Sequence, residues 1–245
     1  MRRFGLIGKT LKHSFSKKYF TQKFRDNNIT NCTYESFELQ SIDLLPQLIE
    51  DHPDLEGLNV TIPYKEQVLP FLSNADHIVS AIGACNCIKI EGKKLFGFNT
   101  DVVGFKNSLQ PKLGVQHTKA LILGTGGAAK AVEYTLKELN INYLIVSRKQ
   151  SPHTVNYTSI DDTLISDYKL IINTTPLGMY PDVGTYPDIP YKTISSEHLL
   201  FDLVYNPEKT VFLKKGEEQG AQIVNGLEML VLQAEESWRI WNSDL

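Results

Sequence analysis

The 245-residue sequence has few cysteines, no long apolar run and no strong excess of either charge. The three cysteines, Cys32, Cys85 and Cys87, cannot all pair within one chain, so no disulfide framework is expected and a cytoplasmic location is favoured. No apolar stretch approaches the roughly 18 residues that cross a bilayer, so no membrane partner is expected. The net charge of −3 gives no global attraction for nucleic acid, and none is expected as a partner.

What remains is the composition of a globular protein. Hydrophobic residues make up 42% and charged residues 22%, which is too apolar for a disordered chain. The six histidines are scattered, and the Cys85-x-Cys87 pair has poor spacing for a metal site. We therefore predict no metal centre and place both cysteines in the core.

Strand-like and helix-like segments alternate along the chain, which predicts an α/β architecture. A hairpin is indicated where Glu91-Gly92-Lys93 separates two strand-like runs, because the glycine can supply a positive φ at the turn. The predicted strands are 4–8, 33–37, 57–61, 84–90, 94–98, 119–123, 143–147, 170–173, 199–202 and 222–224. The predicted helices are 16–27, 42–50, 65–72, 126–139, 208–219 and 226–241, the last with Leu227, Leu230, Val231, Ala234, Trp238 and Trp241 on one apolar stripe.

A glycine-rich turn joins a predicted buried strand to an alanine-rich helix. Residues 124–129 read Gly-Thr-Gly-Gly-Ala-Ala, which fits the G-x-G-x-x-A fingerprint of dinucleotide-binding sites. The first glycine permits the tight turn, the second lets a pyrophosphate approach the backbone, and the helix N-terminus offers N–H groups to the phosphates. A purely structural glycine turn is the alternative. The residues predicted to hold the nucleotide are Gly124, Thr125, Gly126, Gly127 and Ala128.

The end of the next predicted strand decides between NAD and NADP. A site that prefers NAD usually places Asp or Glu there, whereas this chain has Ser147, Arg148 and Lys149. A guanidinium can pair with a 2′-phosphate in bidentate fashion, and a carboxylate would repel it. NADP is therefore the predicted cofactor, with these residues at its phosphate. For Lys149, a solvated basic loop is an equal alternative.

Polar residues in the first half follow predicted strands, where open α/β sheets bind ligands. Each has an ordinary structural interpretation: Ser14 or Ser16 as a helix cap, Lys65 as a surface lysine, and Asp101 as the cap of a helix near Val102. Together, a lysine and an aspartate from different loops, with hydroxyls and an amide, match an oxidoreductase site for a polyol. The candidate residues are Ser14, Ser16, Thr61, Lys65, Asn86 and Asp101.

These motifs resemble those of shikimate dehydrogenases, and the resemblance covers essentially the whole chain. In the first half it rests on Ser14-x-Ser16 and on the segments 59–66, 83–86 and 99–101. In the second half it rests on the segments 124–129, 173–179 (Asn-Thr-Thr-Pro-Leu-Gly-Met), 202–207 (Asp-Leu-Val-Tyr-Asn-Pro) and 226–234.

The resemblance implies a fold of two domains with the active site in the cleft between them. Residues 1–100 with 226–245 would form an α/β substrate-binding domain completed by the C-terminal helix, and residues 101–225 a Rossmann-type NADP-binding domain. The implied reaction is the reversible, NADPH-dependent reduction of 3-dehydroshikimate to shikimate, a step in the biosynthesis of chorismate and the aromatic amino acids. A small-molecule substrate is thus the expected partner, bound by a monomer or homodimer.

The resemblance also implies roles for single residues. Ser14 and Ser16 would bind the substrate carboxylate, helped by Tyr205. Lys65 and Asp101 would contact the substrate as the catalytic pair, and whether Lys65 donates the proton or mainly polarises the oxygen stays open. The residues implied to bind ring hydroxyls are Thr61, Asn86, Asp101 and Gln233, and those implied to line the nicotinamide are Thr174, Leu203 and Gly226, with Met229 nearby.

Two departures from the family's pattern and two rival functions qualify this assignment. Lys17 stands where the family usually has proline, next to the implied carboxylate site, and Cys87 replaces the usual threonine after Asn86. One rival is a quinate/shikimate dehydrogenase with broader substrate or NAD use, against which Arg148 argues. The other is a non-catalytic NADP-binding sensor, which would be expected to lack Lys65 or Asp101.

Overall fold

The computed structural model describes residues 1–11, 14–149 and 151–244, which divide into two compact units. Unit 1 comprises Met1–Thr100 and Gln233–Leu245, and unit 2 comprises Asp101–Leu232. Each unit is built on a six-stranded sheet flanked by helices, which confirms the predicted α/β class with two domains. No helix in the described part of the chain is long and apolar enough to span a bilayer.

The sheet of unit 1 is mixed, in the order β2-β1-β3-β5-β6-β4. Strands β1, β2 and β3 pair in parallel, β5 runs antiparallel to both β3 and β6, and β4 pairs in parallel with β6. The predicted hairpin is confirmed between β5 and β6, where Gly92 has a φ of +62°. Its strands are β1 (Arg2–Gly8), β2 (Cys32–Glu38), β3 (Leu55–Val60), β4 (Asn74–Ala75), β5 (Cys87–Glu91) and β6 (Lys94–Phe98).

Helices of unit 1 cover both faces of its sheet. Phe4 and Leu6 of β1 lie in one apolar cluster with Trp241, whereas Ile7 lies in another, as the alternation of side chains along a strand requires. The backbone of Gly57 passes so close to Trp241 that an added Cβ would lie 2.4 Å from the indole nitrogen. The helices are α1 (Phe15–Asp26), α2 (Leu45–Asp51), α3 (Tyr64–Gln67) and α4 (His77–Ile82), together with the start of α5 (Thr100–Leu109) and most of α9 (Leu227–Asn242).

The sheet of unit 2 is entirely parallel, in the order β12-β11-β10-β7-β8-β9. Numbered within the unit, this is 3-2-1-4-5-6 read from β9, the strand order of dinucleotide-binding sheets. The strands are β7 (Lys119–Leu123), β8 (Asn142–Ser147), β9 (Val155–Asn156), β10 (Leu170–Asn173), β11 (Leu199–Asp202) and β12 (Gln222–Val224). The helices wholly within unit 2 are α6 (Gly127–Glu138), α7 (Asp162–Asp167) and α8 (Val211–Glu217).

Both faces of this second sheet are covered. Ala120 and Ile122 of β7 lie in one apolar cluster, and Leu121 and Leu123 lie in the other. A parallel sheet buried on both faces needs near-continuous apolar strands, which the predicted strands of this half show. The strand order reverses between β7 and β10, and this is where sheets of this type bind ligands.

Several predicted helices are shorter in the structure, mostly for reasons of proline and capping. The helix predicted over 42–50 is a 3₁₀ turn (Ile42–Leu44) followed by α2, which carries a proline at its start. The helix predicted over 65–72 is split into α3 and a 3₁₀ turn (Leu69–Phe71), because Pro70 has no N–H to donate within a helix. The helix predicted over 208–219 starts only at Val211, with Thr210 as its N-cap.

Other local predictions are also corrected. Residues 84–86 form a loop before β5 rather than part of the strand. Helix α5 begins at Thr100, so Asp101 lies inside its first turn instead of capping a helix near Val102. Leu227, predicted on the apolar stripe of the last helix, is 43% exposed, while polar Gln233 and Ser237 are buried. The structure also contains α4, α7, β4 and β9, which the pattern did not predict.

Candidate active site and nucleotide site

Thr61 and Lys65 lie just beyond the C-terminal end of β3, beside the loop that carries Asn86. The backbone N–H of Val60 donates to the carbonyl oxygen of Asn86 at 2.8 Å. The carbonyl oxygen of Lys65 accepts from the N–H of Cys85, also at 2.8 Å. This bond joins helix α3 to the loop before β5. The backbone of the half-buried Lys65 therefore lies next to that of Cys85, the residue before Asn86.

Asn86 and Gln233 meet at the hydroxyl of Thr100. The side-chain oxygen of Asn86 accepts from the backbone N–H of Thr100 at 2.6 Å, and its Nδ2 donates to Thr100 Oγ1 at 3.0 Å. Thr100 Oγ1 in turn donates to Gln233 Oε1 at 3.4 Å. Unit 1 therefore joins the three segments that carry four of the predicted substrate residues, Thr61 with Lys65, Asn86, and Gln233.

The structure also shows a buried polar chain beneath these residues, which sequence reasoning missed. The hydroxyl of Tyr34 donates to Asn59 Oδ1 at 2.8 Å, and Asn59 Nδ2 donates to Ser237 Oγ at 2.8 Å. Ser237 Oγ donates to the carbonyl oxygen of Gln233 at 2.9 Å. A buried polar group without a partner costs free energy. This series of hydrogen bonds therefore fixes the register of α9 against β3. The available signal was the polar pair Gln233 and Ser237 on the otherwise apolar face of the helix that carries Ala234 and Trp241.

The two predicted carboxylate-binding serines lie at the start of α1. Ser14 is the N-cap of the helix and its Oγ accepts from the backbone N–H of Lys17 at 3.3 Å, which confirms the capping alternative for this residue. Ser16 lies in the first turn, near the hydroxyl of Tyr34. No acidic residue stands in the first turn of α1, and Lys17 there is exposed, so the local charge suits an anion.

Asp101 and Tyr205 belong to unit 2. Asp101 lies in the first turn of α5 and is 8% exposed. Tyr205 is half-buried in the loop after β11, and burial raises the pKa of its hydroxyl, so the hydroxyl stays protonated at neutral pH and can donate a hydrogen bond. Their predicted contacts with a substrate stay predictions.

A cavity of about 770 Å³ opens at the C-terminal ends of β7, β8 and β10 in unit 2. Seven of the predicted nucleotide residues line it: Gly124, Thr125, Gly126, Ser147, Arg148, Lys149 and Thr174. Its other lining residues, which are not among the predicted nucleotide residues, are Val146, Tyr157, Thr175, Pro176 and Leu177. The five remaining predicted cofactor residues are not part of its lining: Gly127, Ala128, Leu203, Gly226 and Met229.

The glycine turn has the backbone that its sequence predicts. Gly124 has a φ of +117°, and an added Cβ would lie 2.6 Å from Thr174 Oγ1. Gly126 is the N-cap of the 12-residue helix α6 and makes no side-chain cap, and nothing lies within 4 Å of the place where its Cβ would be. The N-terminus of α6 is therefore open to an anion.

Two basic residues, Arg148 and Lys149, directly follow β8. Their backbone carbonyl groups are hydrogen-bonded, and their side chains face solvent. Asn156 Nδ2 donates to the carbonyl oxygen of Arg148 at 3.2 Å, and Thr154 Oγ1 donates to that of Lys149 at 3.1 Å. The side chains of Arg148 and Lys149 are exposed. Strand β9 thus fixes the backbone at the position where the sequence predicts a phosphate.

Tyr157 supplies a further observation on this cavity. Its hydroxyl is buried, and none of the described residues makes a hydrogen bond to it. Burial raises the pKa of this hydroxyl, and the neighbouring positive charge of Arg148 opposes the shift. The open glycine turn, the two basic side chains and this buried hydroxyl together fit the phosphates and ribose of NADP.

Met229 and Leu203 differ in burial from one another. Met229 is 7% exposed and packs in the apolar cluster with Phe105 and Phe201. Leu203 is half-buried, and its carbonyl oxygen would lie 2.1 Å from a Cβ added to Gly226. Only glycine can therefore stand at position 226 with this backbone.

Comparison with known proteins shows which family this chain resembles. The model of a family described as the shikimate dehydrogenase substrate binding domain matches residues 6–88. A shikimate dehydrogenase (NADP(+)) of Methanococcus maripaludis (strain C6) is 37% identical over 255 residues, which cover 97% of this chain and 90% of that protein.

Solved structures are similar over the whole length. The chorismate mutase/shikimate 5-dehydrogenase fusion protein from Clostridium acetobutylicum has a TM-score of 0.87 and 34% identity, covering 99% of this chain and 91% of that one. The shikimate 5-dehydrogenase from Thermus thermophilus, solved with NADP(H) and shikimate, has a TM-score of 0.87 and 28% identity, covering 100% of this chain and 95% of that one.

Proposed function

The chain belongs to the shikimate dehydrogenase family and is an NADP-dependent oxidoreductase, and from this premise we propose that Lys65 and Asp101 are its catalytic pair. The reaction is the reversible reduction of 3-dehydroshikimate to shikimate, a step of the pathway to chorismate and the aromatic amino acids. Unit 1 would hold the substrate and unit 2 the cofactor, in keeping with the family match to residues 6–88 and the nucleotide-binding strand order of unit 2.

One observation carries the proposal. Thr61 with Lys65, Asn86, and Gln233 come from three separate segments of the sequence, which are joined by backbone bonds of Val60 and Lys65 to residues 85 and 86 and by side-chain bonds through Thr100. The side chains of these segments include an amine, two amides and a hydroxyl, which are donors and acceptors that a ring with several hydroxyls requires.

Reduction of the ketone needs a hydride at carbon and a proton at oxygen. NADPH supplies the hydride when bound. The C=O π bond breaks as the hydride arrives, and the oxygen then takes a proton to become the hydroxyl of shikimate. Lys65 would hydrogen-bond this oxygen, stabilise the negative charge that develops there, and either transfer the proton or orient a water that does. Asp101 would hold the ammonium of Lys65 and a neighbouring hydroxyl of the substrate in position.

The substrate carboxylate would bind at the start of α1 and to Tyr205. Ser14 and Ser16 supply hydroxyl donors there, and the helix N-terminus and Lys17 add positive potential. Lys17 replaces the proline usual in the family, so we expect a stronger electrostatic contribution to carboxylate binding than hydroxyls alone would give. A higher ionic strength would then raise the KM for shikimate.

The decisive experiment follows NADPH formation from shikimate and NADP⁺ by absorbance, and then repeats the assay with quinate and with NAD⁺. We expect turnover with shikimate and NADP⁺ to exceed the other combinations. Equal use of NAD⁺ or quinate would support the broader quinate/shikimate dehydrogenase instead. Nucleotide binding without any turnover would support a sensor and reject the catalytic assignment.

The cellular location and the oligomeric state are further parts of the proposal. The three cysteines are free and buried, which suits a reducing cytoplasm. We propose a monomer or a homodimer, to be decided by light scattering of the purified protein. A larger assembly would reject this part without affecting the reaction.

A further inference from the structure

The carboxylate of Asp202 lies at the C-terminal end of β11 and is fully buried. Its Oδ1 accepts from Asn173 Nδ2 at 2.9 Å and from the backbone N–H of Val204 at 3.0 Å. Its Oδ2 accepts from the hydroxyl of Thr210 at 2.6 Å. One carboxylate thus joins the end of β10, the loop after β11 and the cap of α8.

The partner Asn173 extends this contact into the loop after β10. Its Oδ1 accepts from the backbone N–H of Thr175 at 3.0 Å and from the hydroxyl of the same residue at 2.6 Å. Between them, Thr174 donates from both its N–H and its hydroxyl to the carbonyl oxygen of Leu123, at 2.9 and 2.8 Å. Thr174 is therefore held by its own bonds to Leu123 and by the bonds that join its two sequence neighbours, Asn173 and Thr175.

The partner Val204 extends the contact in the other direction. The N–H of Leu203 donates to the carbonyl oxygen of Asn173 at 3.0 Å, and the N–H of Gly226 donates to that of Val204 at 3.2 Å. Leu203 and Gly226 also pass so close that no Cβ fits at position 226. Of the three residues assigned to the nicotinamide, Leu203 follows Asp202 in the sequence, Thr174 follows its partner Asn173, and Gly226 bonds its partner Val204.

We propose that Asp202 is a positioning residue for hydride transfer, which holds the loops around Thr174, Leu203 and Gly226 in the arrangement that the nicotinamide half of NADP requires. It is not itself part of the cavity lining, so it acts through these loops. The inference rests on the proposed assignment of these residues to the nicotinamide. The adenosine half would depend instead on the glycine turn and Arg148, which make no direct bond to Asp202 among the interactions described above.

The test compares two ligands by titration calorimetry: NADP⁺ and adenosine 2′,5′-bisphosphate, which is the adenosine end of NADP without the nicotinamide. In Asp202→Ala all three donors lose their acceptor. We expect the Kd for NADP⁺ to rise about tenfold while the Kd for the bisphosphate stays within about twofold. Asp202→Asn keeps one carbonyl oxygen for Asn173 and Val204, so it should restore most of the NADP⁺ affinity.

Two further variants separate positioning from loss of stability. Asn173→Ala breaks the same network on the nicotinamide side and should reproduce the selective loss, even where Asp202→Ala folds poorly. Thr210→Val removes a donor from the same carboxylate on the side of α8, so it should lower the melting temperature but leave the ratio of the two Kd values unchanged.

The outcomes are distinguishable. If NADP⁺ and the bisphosphate weaken by the same factor in Asp202→Ala and Asn173→Ala, or if neither weakens, the positioning role is wrong. If the wild-type protein does not oxidise shikimate with NADP⁺, the proposed function fails, while the ratio of the two affinities still reports on the loops around Asp202.

Discussion

The two units bury polar side chains in different ways. In unit 1 a chain of hydrogen bonds through Tyr34, Asn59 and Ser237 runs between β2, β3 and α9, inside the unit. In unit 2 the buried carboxylate of Asp202 lies where β11 ends, while the middle of the sheet is apolar on both faces. Polarity inside unit 1 suits a ligand with many hydroxyls, whereas unit 2 offers a backbone turn and basic side chains to phosphates.

This difference shows that phosphates and polyols require different kinds of binding site. Phosphates are bound largely by backbone N–H groups and by charge, so a contiguous turn and a few exposed basic residues suffice. A polyol needs individual donors and acceptors held at fixed angles, and these have to be oriented by other buried polar groups. The following predictions test this contrast between the two units.

The largest expected effect is on catalysis in unit 1. Lys65→Ala should lower kcat by a factor of about 10³, because the developing charge on the substrate oxygen would lose the hydrogen-bond donor proposed for it, while the KM for shikimate changes much less. Steady-state kinetics in both directions measure this. Lys94→Ala, at an exposed position of the hairpin, is the control and should behave as wild type. A normal kcat with only a raised KM would refute a chemical role for Lys65.

The next effect concerns pH and unit 2. Burial raises the pKa of the Asp202 carboxyl from its ordinary value of 3.8 to about 6, although hydrogen bonds from Thr210, Val204 and Asn173 oppose the shift. At a pH between these two pKa values, Asp202 is protonated in the folded protein and ionised in the unfolded chain. The free energy of unfolding therefore falls as the pH rises from about 4 to 6. The loss should reach about 3 kcal/mol in the free energy of unfolding.

Denaturant unfolding at several pH values, compared between wild type and Asp202→Asn, isolates this contribution. The difference in stability between the two proteins should change over this pH range and become constant above it. A difference that is flat from pH 4 to 7 would show that Asp202 is already ionised at low pH in the folded protein.

The polar interior of unit 1 predicts a smaller loss of stability. Asn59→Ala leaves the hydroxyls of Tyr34 and Ser237 without one partner each, and we expect the free energy of unfolding to fall by about 2 kcal/mol. The affinity for NADP⁺ should not change, because this network lies within unit 1. A drop in NADP⁺ affinity without loss of stability would contradict the separation of the two units' roles.

The smallest expected effect is at the basic loop of unit 2. Arg148→Ala should raise the KM for NADP⁺ about tenfold and leave the KM for NAD⁺ nearly unchanged, because only NADP carries the 2′-phosphate that the guanidinium would bind. Lys192→Ala, at an exposed position of the same unit, serves as the control. Equal changes for both cofactors would remove the assignment of Arg148 to the 2′-phosphate.

Sequence patterns predicted the fold best where short-range rules apply. The strands 94–98, 119–123, 170–173, 199–202 and 222–224 have the predicted bounds. The helices over 42–50 and 65–72 were predicted too long because proline and capping decide helix ends residue by residue. The short elements β4 and β9 carry too few residues to show a period.

The same limit applies to the candidate site. The turn at Gly124 and the basic run at Arg148 are contiguous, so their roles could be predicted from local pattern and chemistry. Tyr157 lines the same cavity, yet no motif marks it, because it arrives from a separate segment after β9. The connection from Asn59 to Ser237 spans 178 residues and leaves no local pattern.

The linear sequence alone determined the alternation of strands and helices, the glycine turn and the basic residues that favour NADP, since each depends on neighbours along the chain. Only the tertiary structure decided which polar side chains are buried together, as in the pairs Asn59 with Ser237 and Asp202 with Asn173. The physical reason is that a polar group can be buried at low cost only when a partner reaches it, and here that partner comes from a remote part of the chain.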